Sequence, residues 1–170
     1  MPSGKVHTLI NTATYALMAG GLAYLHFGLN APIDLGHALR FSVGFWAGTV
    51  LLSPDLDLAE QDVDAKRAWG VLGKLWEPYG TLFSHRGLSH TWLIGPLTRL
   101  IYLALLVLPV LLLNLIFPGL LHLERIPLGL EYWSTALTGY YLSQWLHLVA
   151  DGIRPDHLLH LNRNGRRRGR

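Results

Sequence analysis

Histidine and aspartate recur in four short stretches: His7 in GKVH, Asp55 and Asp57 in SPDLD, His85 and His90 in SHRGLSHTW, and His147 and Asp151 in HLVAD. Imidazole nitrogens and carboxylate oxygens are metal ligands. The chain has no cysteine, which excludes thiolate sites and disulfides. His147 and Asp151 are i,i+4, so on a helix they share a face and reach one ion. Asp55 and Asp57 are i,i+2 just after a proline, and in an extended segment both would point the same way. His85 and His90 lie about 140° apart around a helix. With Gly87 between them, His85 is expected on a loop and His90 in the first turn of a helix that Ser89 caps.

A donor set of imidazole and carboxylate suits Zn²⁺, Mn²⁺ or Fe²⁺. Seven candidates (His7, Asp55, Asp57, His85, His90, His147 and Asp151) exceed what one tetrahedral ion takes. The economical expectation is two divalent ions, Zn or Mn, sharing Asp55 or Asp151. Ions about 3.5–4 Å apart activate a water and polarise a phosphoryl oxygen, so hydrolysis of a phosphoester is the chemistry expected. Arg86 would steady the anion through its guanidinium, and Asp57 would act as the non-bridging base. Each piece also has a plainer reading: His7 as an interfacial ring, SPDLD as a helix stop with solvated acids, HLVAD as an ion pair, and Arg86 as a salt bridge to a ligand carboxylate.

These residues need elements to position them. Hydrophobic residues make up 51% of the 170 and charged ones 15%, against roughly 25% charged in an ordinary soluble domain. Four apolar segments stand out, at residues 9–25, 41–54, 100–117 and 132–150. A bilayer core needs about 20 apolar residues as helix. The third segment carries no charge and is interrupted only by Pro109, where a kink is expected. The expected fold is therefore all-α: an integral membrane helical bundle of about four apolar helices. Residues 1–160 form its single domain, and the one long polar insertion, 55–92, lies between the second and third helices.

Four spans put both termini on one face. That face carries 12 of the 14 basic residues, leaving only Arg40 and Arg125 opposite. The positive-inside bias places the termini in the cytoplasm, at an inner membrane. All four ligand stretches then fall at helix ends on that same face, although the topology was assigned without them. Carboxylates at a membrane edge are costly unless used. Residues 161–170 form a basic tail expected to be disordered, and it raises nucleic acid as a third, less favoured partner after lipids and a phosphoester. No cleaved signal peptide is expected, because polar Asn11, Thr12 and Thr14 interrupt the first segment.

Other polar and aromatic residues have expected places too. His26, His37 and His122 are read as interfacial on the opposite face. Asp156, His157 and His160 are read as a short amphipathic segment at the headgroups. Arg67, Trp69, Trp76 and Tyr79 are expected to line a headgroup-level pocket or to form an interfacial aromatic belt.

The ordered blocks SGKVH, SPDLD, KRAWG, LWEPYG and HRGLSH resemble a family of bacterial and archaeal proteins called metal-binding proteins, over residues 3–103. That family is similar to the LexA-regulated inner-membrane metal-dependent hydrolases and, more remotely, to the zinc-dependent phospholipase C/P1 nuclease superfamily. The resemblance implies an all-helical fold with ligands at helix ends, supports the seven candidates above, and implies phosphoester hydrolysis by distant analogy. Two departures stand out. The phospholipases and nucleases use an N-terminal tryptophan, where this chain begins Met-Pro-Ser, and a glutamate in His-x-x-x-Glu, where this chain has Asp151. The alternative is a metal-binding membrane protein without catalysis, serving as a sensor, carrier or structural module.

Overall fold

A computed structural model describes residues 4–58, 60–83, 87–117, 121–122, 127 and 129–155. His85, Arg86, the residues around Arg125, Asp156, His157, His160 and the 161–170 tail lie outside the described residues. The described chain is helical, without a strand. Its helices are α1 (Gly4–Ala23), α2 (Leu35–Trp46), α3 (Asp64–Ala68), α4 (Glu77–Leu82), α5 (Ile94–Ile116) and α6 (Leu130–Ala150). Wider π turns extend α1 over Tyr24–Gly28 and α2 over Ala47–Leu51. Asp34 starts α2 by accepting the His37 N–H, which satisfies one of the helix's orphan donors.

The scaffold is the α2–α6 pair, whose backbones touch because the contact positions are small. A Cβ added at Gly44 would lie 1.8 Å from the Ala136 carbonyl oxygen, and one at Gly139 would lie 2.2 Å from that of Phe41. A Cβ added at Gly48 would instead meet side chains, the Ser143 hydroxyl at 2.1 Å first. Gly44 and Gly48 are four apart, the small-xxx-small spacing that lets helices pack backbone to backbone. Polar side chains then bridge the seam. Gln144 Nε2 donates to the Gly48 carbonyl at 2.9 Å, and Asn11 Nδ2 reaches across from α1 to Thr49 and to the Ser143 carbonyl.

The polar insertion is built into the fold. Trp76 and Tyr79 are fully buried with Leu52, Leu56, Ala65 and Tyr140, and Trp69 Nε1 donates to the Leu51 carbonyl. The pocket or belt expected for these aromatics is therefore not their place: Trp76 and Tyr79 form the core under the site. Arg67 pairs with Asp62 and Asp64.

Of the four apolar segments, one forms a helix that is long and apolar enough by itself to cross a membrane, α5, among the described residues. It runs through Pro109 without a break. Only its start is buried, at Gly95, Pro96 and Arg99. Leu105, Leu112, Leu115 and Ile116 beyond are exposed. Across the described residues the buried polar side chains outnumber the buried hydrophobic ones, while long apolar side chains cover the outside of α1, α2 and α5.

Candidate metal centre

α1 starts, α2 ends, α5 starts and α6 ends at one end of the molecule, and this arrangement collects the ligand candidates. Asp151 caps α6, and its carboxylate faces two imidazoles, one per oxygen. Oδ1 is 3.3 Å from His7 Nε2, and Oδ2 is 3.4 Å from His147 Nε2. The two rings stack, 3.7 Å between centroids and 13° between planes. Asp55 Oδ1 approaches His147 Nε2 from the other side at 3.6 Å.

Two triads thus offer ligand atoms mutually within 4.8 Å: His7, His147 and Asp151, and Asp55, His90 and His147. They share His147. The separations are long for direct hydrogen bonds. The buried His147 Nε2 and Asp151 Oδ1 have no hydrogen-bond partner. For bonds of 2.0–2.1 Å, tetrahedral ligands stand about 3.3 Å apart around one ion, so the observed spacing fits a common cation held between these groups.

Electrostatics readies His7 and the two carboxylates for a cation. Burial and the neighbouring His147 push the His7 ring below its ordinary pKa. Burial pushes the Asp55 and Asp151 carboxyls up, yet the imidazoles of His147, His7 and His90 outweigh it and hold both below the usual range. At neutral pH His7 is therefore a neutral donor and both carboxylates are charged, the forms that bind metal.

Asp57 sits one layer further out. The 54–57 segment is a 3₁₀ turn (Pro54–Asp57), where an extended one was expected. At about 120° per residue, positions i and i+2 part company: Asp55 turns to His147, and Asp57 turns to His90. Asp57 Oδ2 is 2.9 Å from His90 Nδ1, with both side chains fully buried, and it accepts the Ser89 hydroxyl. His90 lies in its own 3₁₀ turn (Leu88–His90) ahead of α5. Ser89 is thereby occupied, and Thr91 accepts the Gly95 N–H in the capping role expected of Ser89.

A buried relay not foreseen from the sequence holds this layer. Arg99, fully buried on α5, donates to the Ser89 carbonyl at 3.1 Å and to Gln144 Oε1 at 2.9 Å. Gln144 continues to Gly48, so three helices are tied to the turn that carries His90. Asn11 is fixed likewise. Thr49 donates its own proton to the Phe45 carbonyl, which leaves Thr49 Oγ1 and the Ser143 carbonyl as acceptors and orients the Asn11 amide nitrogen toward them. The signal was face sharing: Asn11 is i+4 from His7, and Gln144 is i−3 from His147. A cavity of about 520 Å³ opens beside the cluster, lined by Lys5, His7, Asn11, Asp55, Ser143 and His147 among others.

A family model described as an uncharacterised metal-binding protein, DUF2227, matches residues 2–160. The chain belongs to that family. Among curated proteins it is similar to an uncharacterised protein of Aquifex aeolicus (strain VF5), 37% identical over 67 residues. Those residues are 39% of this chain and 46% of the relative, so the match spans less than half of either protein. No solved structure matches. In this DUF2227 chain the family's metal-binding description meets a buried His/Asp cluster built from four helix ends.

Proposed function

We propose that His7, Asp55, His147 and Asp151, with His90 as a fifth donor, hold a divalent cation that serves hydrolysis of a phosphoester at a membrane surface. The observation that carries this is the meeting of two ligand triads on His147, with 3.3–3.6 Å between facing donors. Because both triads draw on His147, the described residues favour one ion. A second would need donors from the His85 stretch. No thiolate is present and carboxylates are rich, which suits Zn²⁺ or Mn²⁺.

A bound cation supplies Lewis acidity and a nucleophile at neutral pH. The chain's own residues do the rest. Asp57 holds the His90 ring by its Nδ1, which turns Nε2 to ligand duty, as outer carboxylates do for metal-binding imidazoles. Asp55 lines the cavity and is the carboxylate placed to accept a proton from water there. Asp57, fully buried behind His90, lacks that access. Lys5 on the cavity wall supplies positive charge for the phosphoryl oxygens. The resemblance read from the sequence blocks alone, to LexA-regulated inner-membrane hydrolases and the phospholipase C/P1 nuclease superfamily, adds an analogy in the same direction.

Membrane residence is supported by α5 and by the apolar exteriors of α1 and α2. Four spans with cytoplasmic termini agree with the basic-residue bias. A single cysteine placed at Lys5 or in the 121–122 turn of this cysteine-free chain, labelled from one side of the membrane, tests that orientation.

The decisive experiment is elemental analysis of purified protein beside His147→Ala, followed by a phosphoester panel. Metal in the wild type, its loss in the variant and metal-dependent turnover support the proposal, while equal metal in both proteins overturns the site. The burial of His7, His90 and His147 favours a second reading, a closed, non-catalytic metal module. Full metal occupancy with no turnover on any phosphoester selects it.

A further inference from the structure

We infer that the seam between α1 and α2 is the binding groove for a single lipid phosphoester, with the phosphate at the metal end and a hydrocarbon chain laid along the two helices. The inference rests on the phosphoester reading above and names its substrate class. It starts from a second cavity of about 230 Å³ at the opposite end of the same seam, lined by Met18, Leu22, Phe27, Ile33, Phe41 and Tyr15 among others.

Both cavities use one stripe of α1. Thr8 and Thr12 line the first, and Tyr15, Ala19, Leu22 and His26 line the second. These positions follow each other at three- and four-residue steps, hence on one face. On α2 and its extension, Ala38 and Ser42 line the apolar cavity, while Gly48 and Thr49 line the polar one. From Thr12 to Tyr15 is about 4.5 Å along the helix, and from His7 to Leu22 about 22 Å. That is the reach of a membrane-lipid chain, less than the roughly 30 Å of a full hydrocarbon core.

The chemistry of the wall changes along the way. At the metal end it presents an amine, carboxylates, hydroxyls and an amide. At the far end the Tyr15 and Ser42 hydroxyls and the His26 Nδ1 already have partners within the protein. Tyr15 Oη donates to Ser42 Oγ, Ser42 donates to the Ala38 carbonyl, and His26 Nδ1 lies 3.3 Å from the Ala31 carbonyl. What remains there is hydrocarbon and aromatic surface, with Leu17 and Leu35 exposed beside it. A groove polar and cation-ready at one end and apolar at the other matches an amphiphile lying along it, with a headgroup larger than the chain's cross-section in the larger cavity.

The test uses the full chain loaded with Zn²⁺ in detergent micelles and compares binding of ethyl phosphate and hexadecyl phosphate. The wild type is expected to bind hexadecyl phosphate at least tenfold more tightly. Met18→Trp and Ala38→Trp, which fill the far cavity from opposite walls, are each expected to abolish that advantage while leaving metal content and ethyl phosphate affinity unchanged. An advantage that survives both variants is micelle partitioning and overturns the groove. Ethyl phosphate bound as well as hexadecyl phosphate by the wild type also overturns the groove, and leaves the phosphoester site standing. Failure to bind either ligand, with the metal in place, overturns the groove and the phosphoester reading together.

Discussion

α5 and α6 are apolar helices of nearly equal length, and they are used in opposite ways. α6 buries Gly139, Tyr140, Ser143, Gln144, His147 and Leu148, touching α2 backbone to backbone and delivering a ligand and a relay amide. α5 buries only its first turns and exposes leucines along the rest. The polar face of α6 is inside, as is the Thr98–Arg99 start of α5, while the leucine-rich remainder of α5 is outside. Such inversion is the pattern that the membrane residence proposed above would produce: in hydrocarbon, polar groups find partners only in the interior, and aliphatic side chains gain nothing by burial.

The contrast can be broken or sharpened by substitution. The largest effect is expected of His147→Ala, which removes the donor common to both triads. Metal affinity should fall by more than about 100-fold, exceeding the 10–100-fold typical of outer-layer changes, as read by competition with a chelating dye. Next is Gly139→Leu, which drives a side chain into the Phe41 carbonyl. A loss of about 3 kcal/mol or more is expected from overpacking at a backbone contact, measured as denaturant midpoint in detergent. Asp57→Ala follows, with metal still bound but 10–100-fold more weakly. Its readout is the same dye competition, and unchanged affinity would remove Asp57 from any role at His90. The smallest effect is expected of Leu112→Ala on the exposed part of α5, within about 0.5 kcal/mol in detergent. A cost of 2 kcal/mol there would show that α5 is packed after all and would end the comparison.

Metal affinity should also fall with acid. Protons compete for the imidazoles first, and below the depressed carboxyl pKa values for Asp55 and Asp151 as well. Since those carboxyls are held down, most of the loss should come from the histidines, and titration calorimetry at several pH values reads it.

The helical class was legible because four apolar segments, three of them near bilayer length and 41–54 shorter, leave little else, and the ends of those segments put HLVAD, SPDLD and the two flanking histidine stretches together. What the sequence hid was local. Whether 54–57 is extended or a 3₁₀ turn decides which way each aspartate points, and Pro-Asp-Leu-Asp satisfies both. Trp76 and Tyr79 read as interfacial because a polar segment surrounds them, yet their rings are what the insertion packs with. Arg99 read as one more positive charge, since burial of a guanidinium depends on a carbonyl and a glutamine contributed by distant parts of the chain. The His85 and Arg86 expectations fall outside the described residues.

The distance between His7 and Asp151 along the chain has a consequence for biogenesis. The His7 imidazole leaves the ribosome 144 residues ahead of its Asp151 partner. At about 5–20 residues per second, it waits roughly 7–30 seconds for the rest of its coordination sphere. A nascent polypeptide therefore offers passing ions only fragments of a site, and loading is deferred until the HLVAD stretch has emerged.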